Sequence, residues 1–346
     1  MRVDQAAVRP RHTFLYTALA VGFGALVCLA PGRVRAFGPP ESEPGTGVGA
    51  VAAEPFPLPP GLRSAVQFWR DLFTLHTSER VVVHDRESME LVWRVIVLPK
   101  DEAGVVDEVR SAKLVKATID ELRQRLRRLA GDHTALDEED RVLLALAGDR
   151  EGTRLAGAAE RLRAQRGVAD KFAEGLARAR VWAPSMREVL ASEGVPADIL
   201  VLPFVESMFN PLARSYAGAA GLWQLMPATA RGLGLKVKGP GDERLDVLKA
   251  TRAAARMLRS NYRMLGSWPL AITAYNHGPN GVRRAVNLVG SMDLAYLIDN
   301  YERSTWGFAS KNFYAEFLAA LAIVRELPDG ERQASVLVSD APSVRY

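Results

Sequence analysis

The sequence predicts a mainly α protein: an almost entirely helical C-terminal half, preceded by a helical layer that carries a small β element. Three observations lead to that expectation. Val115, Ile119, Leu122, Leu126 and Leu129 recur at alternating spacings of four and three, which places them on one stripe of a helix. A second stripe runs through Val247, Thr251, Ala254, Leu258, Tyr262 and Leu265. Two short runs, Val81 to Val83 and Leu91 to Leu98, are rich in β-branched residues and read as strands.

Taken in order, residues 1–36 read as an export signal or an N-terminal anchor. Arg2, Arg9 and Arg11 precede the uncharged stretch Phe14 to Ala30, and Val34-Arg35-Ala36 approximates a small-x-small cleavage site. As an uncleaved helix that stretch would reach about 25 Å, slightly short of a hydrocarbon core of about 30 Å. Cys28, the single cysteine, lies inside it. Lipid attachment there is disfavoured by the bulk of Val27, and removal of the segment would leave a chain without thiol chemistry. Residues 37–60 are dense in Pro and Gly and read as a tether.

Residues 61–180 read as an accessory helical domain. It opens on the stripe Leu62, Val66, Trp69, Leu72 and Phe73, and the two strands follow. Arg123, Arg125, Arg127 and Arg128 flank the first long stripe and read as a solvated face. Asp137 to Asp140 suits a helix N-terminus. Phe172, Leu176, Ala179 and Ala183 continue the pattern as far as Pro184, where the helix is expected to stop.

Residues 181–330 read as the second domain, with 331–346 a polar tail. Gly194 and Pro196 stop one helix, and Pro227 opens a short one that Gly232 and Gly234 end. Asp246 caps the long second stripe and Gly266 closes it. Ala271 to Tyr275 is helical up to Gly278-Pro279, and a last helix is expected over Phe313 to Leu327. Loops are expected at 207–221 and 277–281.

The composition, 48% hydrophobic and 25% charged over 346 residues, belongs to a globular protein with a real core. Five arginines against Asp4 put +4 of the net +5 in residues 1–36. The basic balance therefore implies no nucleic-acid partner. Five scattered histidines have no metal-ligand spacing, and neither a metal nor a cofactor is expected.

The stretch Ile199 to Gln224 carries the chemistry. Glu206 follows an apolar run, and no Lys or Arg lies between Asp198 and Arg214 to neutralise it. Desolvation penalises a carboxylate, so the proton is expected to stay on near neutral pH, as a general acid requires. A helix-end Glu facing water is the alternative reading of the residue alone. Two further polar clusters interrupt apolar surroundings, Gly221-Leu222-Trp223-Gln224 and Ala274-Tyr275-Asn276-His277-Gly278.

With VPADILVLPFVESMFNP, AAGLWQLMPATA, DERLDVLKATRAA and AYNHGPNGV in that order, the region from about Phe172 to Val324 resembles the lytic transglycosylases that cleave bacterial peptidoglycan. It is most similar to the membrane-bound lytic murein transglycosylase D type. The resemblance implies a lysozyme-like helical catalytic domain in which Glu206 is the only catalytic carboxylate. It places Ser207, Ser215, Gln224, Tyr275 and Asn276 at substrate-facing or acid-orienting positions. Trp223, Leu225 and Met226 are groove-lining candidates that core packing explains equally well. At the register of the family's late cleft-facing tyrosine stands Phe313, so the neighbouring Tyr314 enters as the candidate. His277 replaces a small residue and reads as a solvated loop histidine.

The implied reaction is non-hydrolytic. Glu206 protonates the glycosidic oxygen after N-acetylmuramic acid, the substrate's N-acetyl group stabilises the cationic centre, and the C6 hydroxyl closes on C1 as a 1,6-anhydro end. Glycosidases otherwise pair two carboxylates about 5–9.5 Å apart. The nearest acids after Glu206 are Asp242, Glu243 and Asp246, in a segment that reads as turn and helix cap. A lysozyme-type hydrolase would need a second carboxylate from Asp242, Asp246 or the helical layer. A non-catalytic peptidoglycan-binding protein would use residues 61–170 as its surface. The resemblance implies glycan strands as partner, while residues 1–36 imply an exported location in the periplasm or envelope, with membrane association through the N-terminus where that segment stays uncleaved. The LysM modules that often follow this domain in relatives are not expected here.

Overall fold

A computed structural model describes residues 54–148 and 153–327. The signal or anchor expected over 1–36, Cys28, and the tail over 331–346 lie outside the described residues.

Helix α1 (Arg63–Thr74) buries its expected stripe together with Phe68. Strands β1 (Arg80–Asp85) and β2 (Val92–Val97) fall on the β-branched runs and pair antiparallel, Val82 opposite Val95. A third strand, β3 (Leu162–Arg166), pairs antiparallel with the other edge of β1, giving the order β2-β1-β3. Nothing in Leu-Arg-Ala-Gln-Arg favours a strand locally. The pairing with the central β1, buried over five of its six residues, brings it in.

Helix α2 (Glu108–Leu129) is capped by Asp107, and α3 (Glu138–Ala147) by a reciprocal box between Asp137 and Asp140. Helix α4 (Thr153–Arg161) leads into β3. The arginines of α2 are not simply solvated. Arg125 and Arg128 both pair with the buried Asp140, and Arg127 with Glu160, so they stitch α2 to α3 and α4.

Helix α5 (Ala169–Ser192) runs straight through Pro184, where a stop was expected. An interior proline forfeits a hydrogen bond and costs about 3 kcal/mol. Burial of Ala183, Met186, Val189 and Leu190 around it offsets that cost. The division placed between residues 180 and 181 therefore falls inside one continuous helix.

A 3-10 turn over Ala197–Val201 feeds the short α6 (Leu202–Ser207), and α7 (Pro227–Gly232) follows a turn-rich loop. Asp246 caps α8 (Val247–Leu265), which Gly266 closes at φ 67°. Tyr262 of its stripe is exposed and stacks on Trp268 with ring centroids 4.5 Å apart. Helix α9 (Trp268–His277) is separated from α10 (Pro279–Val289) by Gly278 alone, where a loop over 277–281 was expected. Pro279 is the reason, since its fixed φ suits the first position of a helix. Helix α11 (Leu294–Asn300) precedes α12 (Phe308–Arg325), which starts five residues before Phe313.

Nearly every residue of α12 from Ser310 to Val324 is buried. It packs against α1, α9 and α6 as the central helix of a core that joins α1, Val82 and Met89 to the chain from Val168 onward. Alternation along β1 turns Val81 and Val83 to a second core, filled by α2, α3 and α4. The fold also reaches into the expected tether. Phe56 is buried against Trp268 and Phe317, and Tyr314 donates to the Pro57 carbonyl at 2.8 Å. Among the described residues no helix is long and apolar enough to cross a membrane.

Candidate active site

Helix α6 ends in an energetically costly turn. Met208 and Phe209, directly after Glu206-Ser207, have φ of 49° and 56°. Left-handed backbone costs a non-glycine residue about 1–2 kcal/mol. Two features of α5 hold it. Arg178 donates to the carbonyls of Met208 at 2.8 Å and Phe209 at 3.2 Å. Gly175 lets the helix close in, since a Cβ there would lie 2.7 Å from the Met208 carbonyl oxygen.

The loop from 210 to 226 is fixed from below by Arg244. This buried guanidinium grips both carboxylate oxygens of Asp242, at 2.9 and 2.8 Å, and donates to the carbonyls of Gly218 and Leu225. Gly221, at φ 79°, passes so close to the Arg244 carbonyl that no Cβ fits. The Asp242 carboxyl is held below its ordinary range by that arginine. Asp242 is thus a loop staple, and Asp246 a helix cap.

Glu206 stands where α6 meets this loop. It is half-buried, and among the described residues no cation pairs with it. Desolvation first, and the charge of Glu316 second, push its carboxyl up to about 8. Glu206 is therefore protonated at neutral pH while part of the residue still meets solvent.

Tyr275 of α9 sits beside it. Its hydroxyl donates to the Trp223 carbonyl at 2.8 Å, and its ring lies parallel to Phe313 at 6.5 Å. Burial, and then the nearby Glu206, raise the phenol well above its usual value, so it stays a donor. Gln224, at φ 44°, donates from Nε2 to the carbonyls of Gly221 and Ala213, and remains half-exposed. Asn276 is half-buried next to Tyr275.

Other side chains singled out in the sequence are placed differently. The Ser207 hydroxyl donates to the Leu222 carbonyl and accepts from the Asn210 amide, which ties the end of α6 to the loop. Ser215 accepts from the Ala219 amide and closes its own turn. Trp223 and Leu225 are core residues, the indole donating to Thr251, while Met226 is half-buried.

Tyr314 is 0% exposed and donates to the Pro57 carbonyl at 2.8 Å. Phe313 is the residue of that pair that lies against Tyr275. His277 is no solvated loop residue. It closes α9, bonds Ser310 at 2.8 Å and meets the edge of Trp306, and burial and Arg284 lower its pKa.

Sequence reasoning missed Glu316, a 3% exposed acid on α12 whose charge acts on Glu206. Its own carboxyl is pushed up to about 8 by burial, against the pull of Arg163. The signal was present: Phe-Tyr-Ala-Glu-Phe-Leu-Ala-Ala sets one acid in an apolar helix, the pattern that drew attention to Glu206. Among the described residues no group of three or more His, Cys, Asp or Glu side chains is placed to hold a metal ion.

Residues 187–298 match the family model described as Transglycosylase SLT domain. Over 93 residues the chain is 43% identical to membrane-bound lytic murein transglycosylase D of Escherichia coli strain K12, covering 27% of this chain and 21% of that protein. It is 40% identical over 90 residues to the peptidoglycan transglycosylase of Escherichia phage T7, covering 25% of this chain and 7% of that one. The 70 kDa soluble lytic transglycosylase of Escherichia coli superposes with a TM-score of 0.36 at 15% identity, over 70% of this chain and 40% of that one. The chain thus spans about a fifth of the length of the first of these relatives.

Proposed function

We propose, from an SLT-type transglycosylase domain over residues 187–298 as the premise, that the protein is a peptidoglycan lytic transglycosylase with Glu206 as its acid and then its base. The observation that carries this reading is the setting of Glu206: a half-buried carboxyl that desolvation pushes up to about 8, with no cation paired to it among the described residues. Such a group gives its proton to the glycosidic oxygen between N-acetylmuramic acid and N-acetylglucosamine. The substrate's N-acetyl group stabilises the oxocarbenium-like centre. Glu206, now charged in an apolar wall, recovers a proton from the C6 hydroxyl as that oxygen bonds to C1. The muramoyl product ends in a 1,6-anhydro ring, and no water is consumed.

Tyr275 and Gln224 take the supporting roles, one fixing the loop beside the acid and one offering polar groups at its half-exposed rim. Ser215 and Asn276 remain candidates for sugar contact, whereas the Ser207 hydroxyl is engaged by backbone. We place the protein in the cell envelope, exported through residues 1–36, with the sheet and α2 to α4 as an accessory layer.

The experiment is digestion of purified murein and weighing of the muropeptides. Anhydro ends, 18 Da lighter than their hydrated counterparts (~18 Da being the mass of one water), support the reading, and reducing ends overturn it. Glu316 is the observation that favours a second reading, lysozyme-type hydrolysis with two carboxylates. Its near-complete burial leaves little access for a water between the two acids, so the transglycosylase reading is preferred.

A further inference from the structure

We propose that the exposed face of α8 is a wall-binding site, in which Arg252 and Arg256 beside a small pocket take the carboxylates of murein's stem peptides. The inference rests on the peptidoglycan reading above and names the part of the substrate that this face holds. It uses none of the residues placed around Glu206.

The sequence of α8 sets Lys249, Arg252, Arg256, Arg259 and Arg263 at alternating spacings of three and four, and the helix contains no acid. That spacing lines the five cations along one stripe about 21 Å long. The buried side of the same helix holds Thr251, which receives the Trp223 indole at 2.9 Å. One side of α8 thus supports the loop that carries Gln224. The other meets solvent, with the side chains of Arg252 and Arg256 48% and 52% exposed.

Among the described residues two carboxylates ion-pair with these cations. Glu243 takes Lys249 at 2.7 Å. Glu193, buried at the C-terminal end of α5, takes three guanidiniums: Arg256 at 3.0 Å, Arg252 at 3.4 Å and Arg259 at 3.5 Å. Arg259 also donates to the Glu193 carbonyl at 2.9 Å. Three guanidiniums gathered on one carboxylate carry two positive charges in excess of it, held in place by a buried anchor. Lys249, Arg252 and Arg256 also line a pocket of about 340 Å³, together with the apolar Leu233 and Leu235 and the Glu243 that Lys249 occupies. Arginine presents paired N–H groups that match a carboxylate. The apolar lining suits small aliphatic side chains next to that carboxylate. A short acidic peptide containing alanine has both features, and murein's stems supply it in repeated copies. The glycan strand itself offers amides and hydroxyls but no free carboxylate. A flat anionic lipid surface would meet the cations and leave the apolar lining unfilled.

The test is co-sedimentation of the full chain, carrying E206Q so that the wall is not digested, with purified sacculi and with sacculi whose carboxyls have been amidated. Intact sacculi should bind about tenfold more tightly than amidated ones, an advantage that shrinks as salt is raised. R252Q/R256Q, which leaves Arg259 on Glu193, removes the advantage. R252K/R256K keeps the charge without the planar fork and falls between. K113Q/K116Q on α2 removes equal charge elsewhere and binds like its parent. With Glu206 restored, R252Q/R256Q needs about tenfold more murein for half-maximal cleavage at an unchanged limiting rate. Equal binding of the parent to both kinds of sacculi overturns the proposal, as does an undiminished preference in folded R252Q/R256Q. Loss of binding to phosphatidylglycerol vesicles in that variant, with sacculus binding intact, would make α8 a membrane-facing element and equally overturn it. If R252Q/R256Q does not fold, the parent on the two kinds of sacculi and the lysine variant decide. Absence of anhydro products refutes the proposed activity but leaves this binding readable, since it is measured without turnover.

Discussion

The Tyr275 hydroxyl donates to the main-chain carbonyl of Trp223 over 2.8 Å, joining two segments 52 residues apart beside Glu206. One hydrogen bond thus sets the distance between α9 and the loop that carries Gln224. Tyr275→Phe deletes the donor and leaves a buried carbonyl short of a partner, at a cost of about 1–2 kcal/mol in stability. Because the loop shifts against the acid, murein cleavage should fall by about tenfold to a hundredfold.

Tyr314→Phe is the matched control. It removes another tyrosine hydroxyl, one that donates to the Pro57 carbonyl. The expected loss is about 1 kcal/mol in chemical denaturation, with cleavage retained. Parallel loss of activity in both variants would return Tyr314 to the site.

Glu206→Gln should abolish cleavage and leave a folded protein. It should also change how stability responds to pH. A carboxyl raised from 4.5 to about 8 binds its proton more tightly folded than unfolded. Its contribution is therefore complete below about pH 4.5 and is lost as pH climbs to about 8. Denaturation midpoints of the wild type should fall across that window, and those of E206Q should fall less. An equal slope in both proteins would contradict the raised value.

Cleavage itself should decline as pH rises through about 8, where Glu206 loses the proton it must donate. Initial rates of muropeptide release between pH 5 and 9 (a window of roughly that width brackets the transition) measure this. A limb near the ordinary glutamate range would mean that the carboxyl is not desolvated in solution.

Two substitutions probe the loop's foundation. Gly221→Ala must fit a Cβ where the Arg244 carbonyl oxygen lies 1.8 Å away, at a φ that penalises any side chain. Overpacking and left-handed strain together predict a loss of about 3 kcal/mol or more. Arg244→Ala leaves the buried Asp242 carboxylate with only Arg214, 3.7 Å away, which costs about 3 kcal/mol. Unchanged denaturation midpoints in either variant would refute the staple.

What the sequence made legible is what periodicity encodes. The stripes of α1, α2 and α8 and the runs of β1 and β2 all lie where their apolar spacing placed them. Strand β3 was not legible, because only its neighbour β1 makes it a strand. Pro184 misled, because local propensity cannot see the burial on either side of it. Glu206 was legible as an acid in an apolar run without a cation nearby in sequence. Glu316 was just as visible, but its relation to Glu206 spans 110 residues and depends on how α12 packs. Which of Phe313 and Tyr314 lies against Tyr275 was not legible for a related reason: a helix buried all round has no polar face to say which side meets which neighbour.

The contacts of Phe56 and Pro57 set where the leading segment is moored. Phe56 wedges between Trp268 and Phe317, Pro57 receives the Tyr314 hydroxyl, and Glu54 pairs with Arg325. Three of those four partners belong to α12, the helix that presents Phe313 and Glu316 to the acid. A pull on residues 54–57 therefore bears on α12, which packs against α6, the helix that carries Glu206. Trimming the protein back to Gly61 would cut that mooring and strip the rear of α12 bare, so a shortened version should be judged on activity as well as on yield.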